Sequence, residues 1–337
     1  MSIKELLFNL CRADGIGSVR EAADIAYEEL SKYMPARKTD TLTVIGEMRG
    51  ESDYTLMLDA HIDEIGFIVT NIDENGFLTV DKCGGIDLRT LPARRVTVHG
   101  KEKVPGVFCS TPPHLSSGEI EYTDIVNLKI DTMLGAKARE IISIGDFVTF
   151  CAEPVSLLES RVSAKALDDR AGVACLLELA SRLSGKKLPF NVVFALTDAE
   201  ELGVRGAKTA TFDVSPDEAI ALDVSFADGP DIAPTECGKL SGGAMIGVSP
   251  VLDREISNKL LSIAKENGTA HQTEVMAGRT GTNGDVISLN KEGVRTGLVS
   301  IPERNMHTEV EVVDIKDIES VCDILEQYIL KGGVKNA

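Results

Sequence analysis

The chain after Lys165 alternates between apolar, strand-like runs and amphipathic, helix-like runs, and this alternation constrains the fold more than any other feature. Strands separated by helices are joined by right-handed crossovers, which build a parallel sheet covered by helices on both faces. The sequence therefore predicts an α/β fold with a mostly parallel, mixed sheet flanked by helices. The predicted helices cover residues 169–183, 255–266 and 313–330, and the predicted strands cover residues 190–197, 218–223, 273–276 and 294–301.

The N-terminal segment, residues 1–66, adds further helices and strands. Apolar spacing predicts a helix in S-I-K-E-L-L-F-N-L-C, and Ser18 with Glu21 predicts a capping box at the start of a second helix. Two strand-like runs, 41–47 and 54–61, lie on either side of the polar turn R-G-E-S-D and predict a strand pair.

Residues 67–155 have a different character, because short β segments and turns replace the helical periodicity. A β-rich stretch between two segments of α/β character is best explained as an insert. We therefore predict a β domain at 67–155 inside an α/β domain formed by residues 1–66 and 156–337.

The acidic composition limits the classes of partner. The 337-residue chain carries a formal net charge of -18 and has a pI of about 4.8, so nucleic acid and anionic membrane surfaces would repel it. Its seven cysteines form no C-x-x-C pair, which is typical of a reducing compartment. We expect a cytoplasmic protein that binds neither nucleic acid nor membrane.

Five histidine and acidic side chains close or follow apolar runs of strand character. Strand ends in α/β proteins are where ligand sites are assembled. Histidine and carboxylate ligands without cysteine suit zinc, cobalt or manganese. The five candidate metal ligands are His61, Asp168, Glu201, Asp223 and His307.

Ordinary structural roles also account for several of these residues. A surface turn explains His61, although Asp63 points the same way in an extended backbone and can accept the second imidazole N–H. Helix capping explains Asp168 or Asp169, and spacing alone does not choose between capping and metal binding. An ordinary loop position explains His307.

Two adjacent glutamates, Glu200 and Glu201, follow the apolar run F-N-V-V-F-A-L. On an exposed helix such a pair is usually only solvated. At the end of a buried strand, adjacent carboxylates can divide the work, because one can bind metal while its neighbour accepts a proton from water.

Motifs along essentially the whole chain resemble the M42 family of dinuclear metallo-aminopeptidases, which includes tetrahedral and glutamyl aminopeptidases. In the order of that family they are D-A-H-I-D-E-I-G-F, G-V-F-C-S-T-P-P-H-L, K-A-L-D-D-R-A-G, T-D-A-E-E-L-G-V-R-G-A, A-L-D-V, G-T-N-G-D and S-I-P-E-R-N-M-H-T. The resemblance implies a zinc-peptidase-like catalytic domain, a PDZ-like β insert used in oligomerisation, and a homo-oligomer, commonly a tetrahedral dodecamer.

The resemblance also implies two divalent metal ions per chain, most readily zinc or cobalt, with manganese as an alternative. Glu200 would be the general base, and Asp63 would support His61 from behind the ligand shell. The implied ligands are His61 and Asp223 at one ion, Glu201 and His307 at the other, and Asp168 bridging both.

The chain departs from the family pattern in two segments. Residues 281–284 read G-T-N-G where the family often has G-T-D-A, and Asn305 follows Arg304 where the family often has tyrosine. By analogy, both segments lie near the substrate pocket.

With these residues, the resemblance implies a metal-dependent aminopeptidase that releases N-terminal residues from short peptides, with Glu200 taking a proton from a water held between the metals. One alternative is an endoglucanase-type glycoside hydrolase, which the lack of tryptophan and the 4% aromatic content disfavour because sugar sites commonly need stacking surfaces. The other is a non-catalytic, peptide-binding assembly protein, which the complete ligand set disfavours.

Overall fold

The computed structural model describes residues 1–115, 124–230 and 232–334. The α-helices in these ranges are α1 (Ile3–Arg12), α2 (Glu21–Leu30), α3 (Ala138–Ile141), α4 (Leu167–Leu183), α5 (Arg205–Val214), α6 (Arg254–Asn267), α7 (Gly284–Ile287) and α8 (Ile315–Leu330). The strands are β1 (Ala36–Lys38), β2 (Val44–Met48), β3 (Thr55–His61), β4 (Gly66–Ile72), β5 (Leu78–Cys83), β6 (Arg95–His99), β7 (Lys103–Phe108), β8 (Lys129–Asp131), β9 (Phe147–Phe150), β10 (Val155–Ser156), β11 (Arg161–Ala164), β12 (Asn191–Thr197), β13 (Glu218–Phe226), β14 (Ala244–Val248), β15 (His271–Val275), β16 (Arg295–Glu303) and β17 (Glu311–Asp314).

An eight-stranded sheet in the order β1-β2-β12-β3-β13-β16-β14-β15 forms the centre of the α/β part. The four central strands β12, β3, β13 and β16 are mutually parallel, whereas β2 and β14 join them antiparallel. Long apolar runs suit these central strands because both faces of a parallel sheet are covered. The mixed α/β fold is confirmed, but the predicted strand pair is wrong, since β12 lies between β2 and β3.

Helices cover the two faces of this sheet unequally. On one face, α1, α2, α4, α6 and α8 pack in the largest hydrophobic cluster, which includes Leu58, Leu222 and Val299 from the sheet. On the other face, α5 and α7 pack against Met57 and Ala221 in a smaller cluster. The second face carries fewer helices, and Asp223 of the candidate site points to this face.

Six strands in the predicted insert close into a barrel in the order β4-β5-β8-β7-β6-β9, which we call the barrel. Its core is built around Phe67, whose ring lies 5.1 Å from that of Phe108 and 5.4 Å from that of Phe150 in edge-on geometry. Residues 116–123 of the predicted insert lie outside the described residues. Beyond the barrel, β10, β11 and β17 form a small antiparallel sheet.

Two predicted helix starts differ from the structure. The capping box at Ser18 and Glu21 is wrong: Arg20 precedes α2 without a side-chain cap, and the Glu21 carboxylate accepts hydrogen bonds from Asp14 N–H and Lys103 instead. The last helix begins at Ile315 rather than at residue 313, because the preceding residues pair with β11 as β17. Within the described ranges, no helix combines the length and apolar character needed to cross a membrane.

Candidate active site

The candidate ligands lie at the carboxyl-terminal edge of the four parallel strands. Alternation along β13 and β16 puts Asp223 and its register partner Ser300 on the face covered by α5 and α7. The prediction that the strand ends at Asp223 is wrong, because β13 continues to Phe226 through its pairing with β16. The other candidates are His61 as the last residue of β3, Glu200 and Glu201 after β12, His307 after β16, and Asp168 at the start of α4.

The structure brings all five candidate ligands together around Asp168. Its Oδ1 lies 2.9 Å from His61 Nε2, and its Oδ2 lies 3.2 Å from His307 Nε2. Glu201 Oε1 is also 3.2 Å from His307 Nε2, and Asp223 Oδ1 is 4.0 Å from His61 Nε2. One ligand atom each from His61, Asp168 and Glu201 lie within 4.8 Å of one another. Asp168 therefore has one oxygen toward each histidine.

The two aspartates at the start of α4 have separate contacts. Asp169 Oδ1 accepts a hydrogen bond from Gly172 N–H at 3.0 Å, and its Oδ2 accepts one from His61 N–H at 3.3 Å. Glu311 Oε2 accepts the N–H groups of Leu167 and Asp168 at 2.7 and 3.3 Å. The local hydrogen bond within the helix is thus made by Asp169, which leaves the Asp168 carboxylate to the histidines.

Asp63 holds the backbone of the glutamate pair and also lies beside His61. Its Oδ1 accepts the Glu200 N–H at 3.0 Å, and its Oδ2 accepts the Glu201 N–H at 3.2 Å. His61 Nδ1 lies 3.5 Å from Asp63 Oδ1 and makes no hydrogen bond. Asp63 acts on the imidazole of His61 at least through its charge, which contributes to the raised pKa of His61, and its support of the metal-binding tautomer stays a prediction.

The ionisation of the central residues is dominated by their mutual contacts. Burial disfavours charge on Asp168, but hydrogen bonds with His307 and His61 outweigh it and hold the pKa of Asp168 below its usual range. Burial alone would likewise lower the pKa of His307, yet Asp168 and Glu201 raise that pKa to about 11. The pKa of His61 also lies well above its ordinary value, because its acidic neighbours outweigh its complete burial.

Two further carboxylates of the site, Glu200 and Asp223, are held in an environment that resists their ionisation. Burial raises the pKa of Glu200 to about 7, and the negative charges of Glu201 and Asp168 add to the effect. Burial, together with nearby acids, raises the pKa of Asp223 well above its ordinary value. A cluster of this kind is favourable for a cation, because positive charge would relieve the repulsion among the carboxylates.

The donor set fits divalent metal ions. Two imidazole nitrogens and several carboxylate oxygens converge without a thiolate, which suits zinc, cobalt or manganese. The two oxygens of Asp168 face different histidines, which is the arrangement that a bridging carboxylate requires.

Several buried polar residues near the site were not among the predicted site residues, although Asn283 stood out as a departure from the family pattern. The Asn283 amide donates a hydrogen bond to Asp59 Oδ2 at 2.7 Å and another to Thr197 Oγ1 at 2.9 Å. Asp59 lies two residues before His61, and Thr197 is the last residue of β12. Asn283 is only 1% exposed, so its amide is part of the buried hydrogen bonding around Asp59, and the nearness of this segment to the substrate pocket stays a prediction.

Two buried glutamates also lie near Asp168. Glu311 accepts the backbone N–H groups described above, whereas neither carboxylate oxygen of Glu303 has a hydrogen-bond partner. Burial, followed by the charges of Glu311 and Asp168, raises the pKa of Glu303 well above its ordinary value. Neither residue stood out in the sequence, because Glu303 ends an apolar strand and Glu311 begins one.

Comparison with known proteins identifies the family of this chain. The sequence profile described as M42 glutamyl aminopeptidase matches residues 43–324. The chain belongs to the M42 peptidase family. The resemblance seen in its motifs is thereby confirmed, and the protein is an M42 aminopeptidase.

Similar peptidases match almost the full length of the chain. The lysyl aminopeptidase of Pyrococcus furiosus is 30% identical over 96% of this chain and 96% of its own. The structure of aminopeptidase APDkam598 from Desulfurococcus kamchatkensis has a TM-score of 0.91 and 31% identity, covering 98% of this chain and 95% of that one. The Pyrococcus horikoshii TET1 peptidase, described as assembling into a tetrahedron or a large octahedral shell, has a TM-score of 0.87 and 30% identity, covering 98% of this chain and 100% of its own.

Proposed function

We propose that this M42 aminopeptidase uses two divalent metal ions, zinc or cobalt in the first place and manganese as an alternative, to release N-terminal residues from short peptides. The convergence of histidine and carboxylate side chains on the two oxygens of Asp168 is the observation that supports it. The proposed ligands are His61 and Asp223 for one ion, Glu201 and His307 for the other, and Asp168 for both.

Metal ions bound there would polarise the scissile carbonyl and lower the pKa of water. Glu200 is the proposed general base, and its pKa of about 7 suits a group that takes a proton and later returns it. Asp63 positions this base relative to the ligand Glu201, because one carboxylate holds both backbone N–H groups. The free amine of the peptide would bind at this same acidic edge.

The experiment that tests this function compares peptides with free and blocked N-termini. Leu- and Glu-leading peptides should be hydrolysed from the N-terminus, and their N-acetylated forms should not. Dialysis against a chelator should abolish the activity, and added cobalt or zinc should restore it. Hydrolysis of carboxymethyl cellulose by the metal-stripped protein would instead support the glycoside hydrolase, and metal binding without any hydrolysis would support the peptide-binding assembly protein.

We propose further that residues 67–155 are a PDZ-like insert that drives assembly, while residues 1–66 and 156–337 form one catalytic domain. Met133 and Ile144 on the insert are 87% and 67% exposed, and we propose that association buries their apolar side chains. By analogy with the TET1 peptidase, which is described both as a dodecamer and as a tetrahedron or large octahedral shell, the proposed assembly is a tetrahedral dodecamer.

We also propose a reducing compartment, such as the cytoplasm, as the location of the protein. All seven cysteines carry free thiols, which such a compartment preserves.

A further inference from the structure

The barrel touches the candidate metal centre through two adjacent glycines. Gly84 and Gly85 directly follow β5, so they belong to the barrel and not to the sheet that carries the ligands. The Gly85 carbonyl oxygen lies 2.7 Å from His307 Nδ1. The insert thus reaches the same residues that were assigned to the second metal ion.

This contact determines which nitrogen of His307 is available to a metal. A carbonyl oxygen can only accept, so Nδ1 carries the hydrogen and donates it to Gly85. Nε2 then faces Asp168 Oδ2 and Glu201 Oε1, each at 3.2 Å. Hydrogen bonds of this kind orient metal-binding histidines and fix their tautomer.

Neither glycine can carry a side chain without meeting the ligands. A Cβ added at Gly85 would lie 2.9 Å from Nδ1 and 3.2 Å from Cε1 of His307. A Cβ added at Gly84 would lie 3.0 Å from Glu201 Oε2 and 2.6 Å from Ile65 Cγ2. The close approach of the barrel to the two ligands therefore depends on the absence of side chains at both positions.

The other half of the centre does not depend on the barrel in this way. His61 is held through its backbone N–H by Asp169, and Asp168 through its backbone N–H by Glu311, all within the α/β part. The His61 side chain is 2% exposed, whereas that of His307 is 33% exposed and less confined by packing. The orientation of the His307 imidazole consequently depends more on a hydrogen bond than that of the His61 imidazole does.

We propose that the Gly84–Gly85 turn of the barrel is a positioning element of the metal centre that holds the His307 and Glu201 half in its metal-binding geometry. This inference rests on the proposed two-metal function. It makes the insert necessary for one metal ion in each chain, separately from any role of the insert in assembly.

The test uses the full-length chain with Gly85→Ala, Gly84→Ala and the matched control Gly145→Ala. Gly145 also lies in the barrel segment and has a φ of +96°, close to the +93° of Gly84, but a Cβ there would meet nothing within 4 Å. Equilibrium titration with cobalt, checked by elemental analysis, gives the affinity of each ion. Both site variants should bind one ion about 10- to 100-fold more weakly and the other normally, because their effect is on ligand orientation.

The dependence of the hydrolytic rate on metal concentration separates a positioning role from a general structural defect. Under the proposal, saturating metal restores the hydrolytic rate of Gly85→Ala, and Gly145→Ala binds both ions like the unaltered protein. Equal metal affinities in Gly84→Ala, Gly85→Ala and Gly145→Ala would overturn the positioning role. Failure of the unaltered protein to bind metal would instead refute the proposed function.

Thermal unfolding of the metal-free variants shows whether they fold. If Gly84→Ala and Gly85→Ala do not fold while Gly145→Ala does, the ¹⁵N-histidine NMR spectrum of the metal-loaded, unaltered protein decides, with His307→Gln used to assign the signal. A hydrogen on Nδ1 of His307 supports the proposal, and a hydrogen on Nε2 contradicts it.

Discussion

Asp168 connects the two halves of the site, since one of its carboxylate oxygens faces His61 and the other faces His307. Glu201 approaches His307 Nε2 to 3.2 Å and His61 within 4.8 Å, and Asp223 Oδ1 lies 4.0 Å from His61 Nε2. If Asp168 bridges the two proposed ions, a change to this one side chain should affect the binding of both.

The substitution Asp168→Asn should remove both metal ions, because an amide keeps the shape of the side chain but cannot supply two anionic oxygens. Elemental analysis after dialysis should find two ions per chain in the unaltered protein and essentially none in the variant. Peptide hydrolysis should fall to background. Asp198→Asn is the control, since Asp198 is an acid near Asp63 outside the proposed ligand set. Two ions retained by Asp168→Asn would contradict the bridging role.

Glu200 and Glu201 are adjacent in sequence but should respond differently to the same change. Glu200→Gln removes the proposed base, so the hydrolytic rate should fall about 10²- to 10⁴-fold while metal content stays normal. Glu201→Gln should weaken the ion at His307, because Glu201 Oε1 lies 3.2 Å from His307 Nε2. Metal content and rate measured on the same preparations separate the two roles. Equal metal loss in both variants would contradict them.

The apolar patterns of the sequence predicted where the strands that carry the proposed ligands lie along the chain. They did not predict which strands are neighbours in the sheet. β3 was predicted over 54–61 and occupies Thr55–His61, because an apolar run is a local property. The insertion of β12 between β2 and β3 depends on contacts between residues distant in sequence. The extension of β13 beyond Asp223 likewise requires its pairing with β16, which no local pattern contains.

The same distinction explains which site residues were predicted. The five proposed ligands follow or close apolar runs and carry chemistry that can be recognised from residue type. Glu311 and Gly85 act through hydrogen bonds with residues far away in sequence, such as Leu167 and His307. These partners come together only in the folded chain.

A buried charged network joins several elements around the site. Lys165 Nζ lies 2.6 Å from Asp14 Oδ1 and 2.7 Å from Glu64 Oε2. Lys103, at the start of β7 in the barrel, reaches Asp14 Oδ2 at 2.9 Å, and Arg170 in α4 reaches Glu64 Oε1 at 3.1 Å. The network therefore links the α1–α2 loop, the β3–β4 loop, the start of α4 and the barrel.

Lys165→Met should destabilise the fold strongly, because it leaves Asp14 and Glu64 buried with less compensation. Loss of one partner from a buried ion pair lowers the free energy of unfolding by about 3–5 kcal/mol. We expect the lower end of this range, because Lys103 still pairs with Asp14 and Arg170 still pairs with Glu64. Urea unfolding of the metal-free protein measures the change. Lys38→Met is the matched control: its pair with Asp24 is exposed, so the expected cost is only about 0–1 kcal/mol. Similar losses in the two variants would show that the buried network is not the cause.

For the whole molecule, association must overcome the mutual repulsion of strongly acidic chains. With a net charge of -18 per chain, long-range electrostatics oppose self-association. Apolar contact is therefore the expected driving force. Met133 and Ile144 supply exposed apolar area on the insert, at some distance in sequence from every proposed ligand.

The double substitution Met133→Glu and Ile144→Glu should reduce the oligomeric state, because association would then bury unpaired carboxylates as well as lose apolar contact. Light scattering should give a large complex, most simply a dodecamer, for the unaltered protein and a smaller species for the variant. Metal content should not change, since the turn at Gly85 is intact. Phe212→Ser is the control, because Phe212 is 66% exposed on α5 outside the barrel. An unaltered protein that is monomeric, or a double variant that keeps the full assembly, would show that these residues of the insert do not drive association.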